Sequence, residues 1–375
     1  MRARKGWAAV FAALVMTAVQ AANLSVTDVK IAQRYPWNGL VDITYTVNCD
    51  DPNKDVWVYP VGYDADTQTS VALMPEYLSG AGASNAVHNG THQMTWNMAK
   101  QMGKDYNRAA FSVTLHAYCD AAPYMVIDLS AGSEAEKYEV TYLAKAKDEG
   151  WSDEYLTTKM VFRLIPPGTY LMQRTEKVTI SKPFYCAVWP IMEQQYCLIM
   201  GGTPTNPRNF KQYLSYNALR GSVLGSKWPE HQQVDADSIA GKLRLRTGMT
   251  IDLPTSAQWE YAIRAGSDDA TFKNPNAWGI RDACRVAEWV LDWGGNFSRA
   301  NSVDPVGPER SAAGTIRART TRGRGYSLGT WSFTVYDVWW GYDIDRYSSF
   351  WFTAERTNCN NEGLSARLVA LPVCK

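Results

Sequence analysis

Histidine is scarce in this sequence, with 4 residues in a chain of 375. His116 and His231 stand alone. His88 and His92 are four apart, but Asn89-Gly90 between them breaks a helix and favours a hairpin turn. They read as a solvated turn and not as a metal-ligand pair. A Ser-His-Asp triad or a His-rich iron centre has little to draw on. None of the 7 cysteines forms a Cys-x-x-Cys pair, which leaves zinc-ribbon and thioredoxin-type sites unsupported. An odd count leaves at least one thiol free or bonded to another molecule. Charge of one sign is lacking too. The 38 basic and 37 acidic residues give a formal net charge of +1, which suits neither a nucleic-acid partner nor a membrane surface. No stretch spans a bilayer comfortably, so no transmembrane segment is expected.

The apolar run at residues 7–19 has another reading. Arg2, Arg4 and Lys5 precede it and Val19-Gln20-Ala21 follows it, the pattern of a secretory signal peptide over residues 1–21. Uncleaved anchoring is the alternative. Removing those three cations and no acids takes the formal charge from +1 to −2. Export would make the mature chain secreted, periplasmic or cell-surface, in a compartment where disulfides persist.

Aromatics are what the chain has in excess, with 15 Trp and 21 Tyr. They suit thick cores and also sugar- or peptide-binding surfaces. The length fits two domains, each with its own core. From Asn23 the chain reads as strands. Val41, Ile43, Tyr45, Val47 and Cys49 alternate with polar neighbours, and Phe111, Val113, Leu115, Ala117 and Cys119 repeat the pattern. Residues 55–59, 92–96, 124–128 and 138–143 are further short strands between turn clusters. This spacing predicts a β-sandwich of immunoglobulin or fibronectin type over residues 22–147. Cys49 and Cys119, ending two inward-facing strands, are its disulfide candidates. The polar residues 148–159 read as a linker.

In the second half, residues 253–266 run Leu-Pro-Thr-Ser-Ala-Gln-Trp-Glu-Tyr-Ala-Ile-Arg-Ala-Gly. Thr255 and Gln258 stand in capping-box relation, Pro254 and Trp259 in staple relation, and Gly266 is a plausible stop. Trp259, Ala262 and Ile263 share one face, so a short helix docks on a core. This stretch resembles the signature helix of the formylglycine-generating enzyme, or sulfatase-modifying factor, family. Other blocks that resemble the family follow its order from residue 160 to the C-terminus. They are Ile165-Pro-Pro-Gly-Thr-Tyr, Gln195-Tyr196, Pro275-Asn-Ala-Trp-Gly, Val286-Ala-Glu-Trp289, Asp304-Pro-Val-Gly-Pro and Ala366-Arg-Leu-Val369. The resemblance implies an α+β chain in which the β-sandwich is followed by a loop-rich, C-type-lectin-like domain over residues 160–375.

The resemblance also implies chemistry that this sequence does not carry. The family oxidises a substrate cysteine with oxygen, using two cysteines, four residues apart, that bind copper(I). Two thiolates at fixed separation suit that soft ion. Here the corresponding interval holds one cysteine, Cys359. Cys186 and Cys197 read as core or disulfide residues, and Cys374 lies beyond the last strand. Where the family carries a Gly-Asn that helps hold calcium, this chain has Cys284-Arg285, a cation that would oppose the ion. No catalytic residue, metal site or cofactor is therefore assigned; copper or calcium enters only if the enzymatic alternative holds.

The segment 330–352 occupies the position of the family's substrate groove. Trp339, Trp340, Tyr342, Asp343, Asp345, Arg346 and Tyr347 are its ligand-binding candidates, because aromatic faces with a few polar groups suit a glycan or a peptide. Trp331, Phe333, Val335 and Phe352 read as core. Arg317 and Arg319 are candidates for holding an anion, with internal salt bridges to Glu288 and Asp292 as the alternative; Arg322 reads as structural. The leading expectation is an exported, non-catalytic member of the family that binds a glycan, peptide or protein. The alternatives are a formylglycine-generating oxidase with rearranged residues and a receptor with a variable ligand-binding segment.

Overall fold

Period-two alternation produces the first group of strands. The computed structural model describes residues 23–35, 38–66, 69–74, 77–106, 111–119, 121–146, 150–173, 176–221, 234–265, 274–293, 302–307, 319–323, 338–340 and 364–372. Residues 1–21, expected to be a signal peptide, and Gly266 lie outside them. The chain opens with β1 (Leu24–Gln33), β2 (Leu40–Cys49), β3 (Val56–Asp64), β4 (Thr69–Ala72), β5 (Leu78–Gly80) and β6 (Gly90–Asn97). A short helix α1 (Met98–Met102) and β7 (Phe111–Cys119) follow. They form two sheets, ordered β1-β2-β6-β5 and β4-β3-β7. Ile43, Tyr45, Val47, Met94 and Trp96 of the first sheet meet Val56, Val58 and Leu115 of the second in one core. The alternate residues of β2 are buried at each expected position.

The β4-β3-β7 sheet is covered on its other face as well. Tyr59 is buried in a second core with Met125 and Tyr185, and Trp57 and Tyr118 pack against it. Tyr59 Oη donates to the Ala121 carbonyl at 2.6 Å, and the Thr169 amide donates to Ser70 Oγ at 2.5 Å. This middle sheet joins the two halves of the molecule.

Two expectations about the boundary are corrected here. Residues 124–128 and 138–143 do form strands, β8 (Tyr124–Asp128) and β9 (Glu139–Leu143). They pair with β10 (Lys159–Ile165), not with the sandwich sheets, and the division falls near residue 120 instead of 147. The physical reason is β10 itself, Lys-Met-Val-Phe-Arg-Leu-Ile, which is buried over its last six residues and takes a strand on each side. The stretch 148–159 is not a free linker either. It contains α2 (Glu154–Thr157), and Trp151 meets Tyr124, Tyr155 and Trp189 edge-on at 5.3, 5.0 and 6.0 Å.

The chain continues through β11 (Gly168–Met172), β12 (Glu176–Ile180), β13 (Phe184–Ala187), α3 (Glu193–Met200), α4 (Tyr216–Arg220) and α5 (Ile239–Thr247). Next come β14 (Ile251–Asp252), α6 (Ser256–Arg264), β15 (Ala287–Trp293), β16 (Ser302–Val303), β17 (Arg319–Gly323), β18 (Val338–Trp340), β19 (Leu364–Ala366) and β20 (Val369–Ala370). Three further sheets result, β14-β20-β13-β10-β8-β9, β11-β12-β16 and β18-β17-β15-β19. The whole is a β-rich α+β chain. Among the described residues no helix is long and apolar enough to cross a membrane.

Helix α6 lies at the centre of the second half. Its capping box forms as its residues require: Gln258 N donates to Thr255 Oγ1 at 3.1 Å and Thr255 N to Gln258 Oε1 at 2.9 Å. The left-handed residue that ends it is Ala265, φ 48, one position before the expected Gly266. All nine of its residues are buried, not one face alone.

Candidate functional site

A helix buried on every side must neutralise its own charges, and α6 does so with residues from distant segments. Glu260 Oε2 accepts from Arg322 Nη2 at 2.5 Å, while Oε1 accepts the Gln173 amide at 2.6 Å. Arg264 donates to the Leu171 carbonyl. Trp259 Nε1 reaches Glu288 Oε2 at 2.8 Å, and Arg367 grips both oxygens of Glu288 at 3.1 Å. Asn276 closes the far end of the helix, donating to the Ala262 and Ile263 carbonyls and accepting the Trp278 and Ile280 amides. Beside it, Asp252 holds Arg220 at 2.5 and 3.1 Å and Arg244 at 2.8 Å. Gly168 packs so closely on the helix that a Cβ there would stand 2.1 Å from Tyr261 Oη.

This lattice fastens the strand that leads to the predicted binding segment. β17 pairs with β15 on one side and β18 on the other, with Thr320 opposite Trp340, Thr321 opposite Trp339 and Arg322 opposite Val338. Trp339 and Trp340 thus lie on the edge strand of a four-stranded sheet. Tyr342, Asp343, Asp345, Arg346 and Tyr347 lie outside the described residues, as do Arg317, Trp331, Phe333, Val335, Phe352 and Cys359.

Arg319 and Arg322 both sit inside the fold. Arg319 is 2% exposed; Nη1 donates to the Leu291 carbonyl at 2.9 Å and its guanidinium lies 3.6 Å from the Trp293 ring centre and 4.3 Å from that of Tyr216. Cation–π stacking holds it, and its fork is not offered to solvent. Arg322 stands directly opposite Glu288 in the β15–β17 register, yet its ion pair goes to Glu260 because Arg367 already occupies Glu288. Asp292 takes neither arginine in an ion pair; its Oδ2 accepts the Ser256 amide at 2.6 Å, at the start of α6. Burial pushes its carboxyl up to about 6, against the lowering effect of that bond.

The thiols and the calcium position complete the inventory. Cys49 and Cys119 bring their sulfurs to 3.9 Å across the two sandwich sheets. Burial pushes the Cys186 thiol up to about 12, so it is no thiolate at neutral pH, and burial raises Cys197 as well. Cys284 holds φ 63. Arg285 projects to the surface beside Asp282 at 3.1 Å, and the Glu288 carboxylate is committed to Arg367. A cation and a spent carboxylate do not fit a calcium ion at that place. Among the described residues no three His, Cys, Asp or Glu side chains are grouped as metal ligands.

No family model and no curated protein matches the chain. One solved structure, Treponema denticola variable protein 1, is similar at 17% identity over 57% of this chain and 96% of that chain, with a TM-score of 0.39. A likeness of that depth assigns neither fold nor function.

Proposed function

We propose that this chain is an exported, non-catalytic relative of the formylglycine-generating enzymes, and that it binds a glycan or peptide through the aromatic segment that begins at β18. Support for the kinship comes from side chains of separate resembling blocks meeting in space. Trp259 of the signature helix and Arg367 of the closing block share Glu288 of the Val-Ala-Glu-Trp block. Gly168 of the opening block abuts Tyr261, and Cys284 keeps a left-handed φ where the family carries glycine. On this reading the second half takes the C-type-lectin-like fold and the first half the immunoglobulin- or fibronectin-like one.

The observation that carries the binding role is the ladder from β17 to β18. The helix that marks the family holds β17 through Glu260 and Arg322, and β17 in turn holds the strand bearing Trp339 and Trp340. Glu260, Glu288, Arg319 and Arg322, the charged side chains around this ladder, are buried and used for positioning. Glycan and peptide arrays probed with residues 22–375 test this. Binding should appear and fall by about tenfold or more in Trp340→Ala, the loss typical of a stacking aromatic. A single tight thiolate-bound copper(I) per chain, or conversion of a Cys-x-Pro-x-Arg peptide by protein, copper and oxygen, would instead establish the oxidase.

A further inference from the structure

Away from the β18 edge, four segments distant in sequence close around a half-open cleft of about 470 Å3. Its apolar wall is Trp151, Trp189 and Phe210. Trp189 is 8% exposed and meets Trp151 edge-on, so the two rings brace each other. Phe210 is tied by a backbone bridge to Met192, which also lines the cleft. The polar rim carries Arg208, Arg281 and Arg285 against Asp282.

Two of those cations have partners, Arg208 with Asp153 and Arg285 with Asp282. Arg281 has no ion pair among the described residues, and its buried Nε has no hydrogen-bond partner there. Its backbone is pinned on both sides. The amide donates to the Val188 carbonyl at 2.8 Å, and the carbonyl accepts from Arg367 Nη2 at 2.9 Å. A guanidinium that lines an aromatic cleft on a pinned backbone, with a buried donor unmatched, is an arrangement that a ligand acceptor completes.

We infer that this cleft is a second binding site and that it takes an aromatic carboxylate, with the ring against Trp151 and Phe210 and the carboxylate on Arg281. One cation in excess calls for a single negative charge, and a planar fork matches two coplanar oxygens. The rings favour a flat apolar body, and the volume fits a ligand of that size. Free aromatic acids and the C-terminal aromatic residue of a peptide both present this chemistry. The site shares no residue with the segment beyond β18, so it stands or falls separately from the binding role proposed above.

Calorimetric titration of the full chain tests it with two matched pairs of probes, phenylacetate against 2-phenylacetamide and Gly-Gly-Phe against its C-terminal amide. Within at least one pair, the acid should bind about tenfold or more tighter than the amide, the loss expected when a charge-assisted hydrogen bond goes. Whichever acid binds tighter names the source. Arg281→Gln should bring the acid down to the level of its amide, while Trp340→Ala leaves acid binding unchanged. Equal affinity of acid and amide in both pairs, or no binding of any probe, overturns the inference. So does a folded Arg281→Gln that binds the acid as the parent does. The acid–amide comparison uses the unaltered chain and decides the matter even if that variant fails to fold.

Discussion

At Glu288 three segments of the chain meet on one fully buried carboxylate, and the energetics follow from that burial. Glu288→Gln keeps an acceptor for Trp259 but leaves the Arg367 guanidinium, also 0% exposed, without a countercharge. Breaking a buried pair from one side costs about 3–5 kcal/mol, so urea unfolding should show a loss of that size. Adding Arg367→Met to Glu288→Gln should recover part of it, because no unpaired charge is then left buried, although the Ala187, Val188 and Arg281 carbonyls lose their donor. A single variant as stable as the parent would mean that the pair is not what holds β15 to the segment between β19 and β20. Asp292 carries a pH prediction of its own. Its folded-state value of about 6 lies above the ordinary 3.8, so the folded chain binds the proton more tightly than the unfolded chain. Its contribution is fully present below pH 3.8 and is lost as pH rises through about 6, by about 3 kcal/mol in all. Asp292→Asn should therefore gain stability relative to the parent across that window, read as the difference between two urea midpoints at each pH. A constant difference from pH 4 to pH 7 would refute the assignment.

Among the elements, β2 and α6 were legible in sequence for opposite reasons, and only β2 was read fully. Strict alternation can place one face of a strand in a core, and Val41 to Cys49 do so at every second position. In α6 the cap was legible because it is local, two residues three positions apart satisfying one another. Its burial was not, since Glu260 and Arg264 look the same in sequence whether solvated or paired with Arg322 and the Leu171 carbonyl. The same blindness hid Asp252, Arg220 and Arg367, since Asp252 meets Arg220 32 positions away and Arg367 meets Glu288 and the Ala187 carbonyl 79 and 180 positions away. Arg281 and Trp151 had no local signal at all, because the cleft they line exists only once four segments have folded together. Cys49 and Cys119 were legible as the ends of inward-facing strands, and their sulfurs lie 3.9 Å apart at a separation of 70 residues. In an oxidising compartment a bond closing such a loop should stabilise the chain by roughly 4 kcal/mol. Non-reducing peptide mapping should find Cys49 linked to Cys119, and reduction should lower the thermal midpoint. A midpoint indifferent to reductant would show that the two thiols stay apart.

For the whole molecule, the lesson lies in the position of the division between halves. Composition placed it at the charged stretch near residue 148, because linkers are commonly polar. Hydrogen bonding places it near residue 120, since β8 and β9 complete the sheet nucleated by β10. Met125, Ile127, Leu129 and Tyr138 enter the same core as Phe162 and Leu164, contacts that no local pattern announces. Two fragments separate the readings. Residues 121–375 keep β8 and β9 and should retain near-ultraviolet circular dichroism and a cooperative urea transition, though at a lower midpoint because Tyr59 and Trp57 no longer cover one face. Residues 148–375 lose both strands and the buried side chains of Met125, Val126, Ile127, Leu129 and Tyr138, each worth about 1.5–3 kcal/mol on burial, so that fragment should bind hydrophobic dye and unfold without cooperativity. If the shorter fragment instead unfolds as sharply as the longer one, β8 and β9 belong energetically to the first half and the boundary returns to the charged stretch.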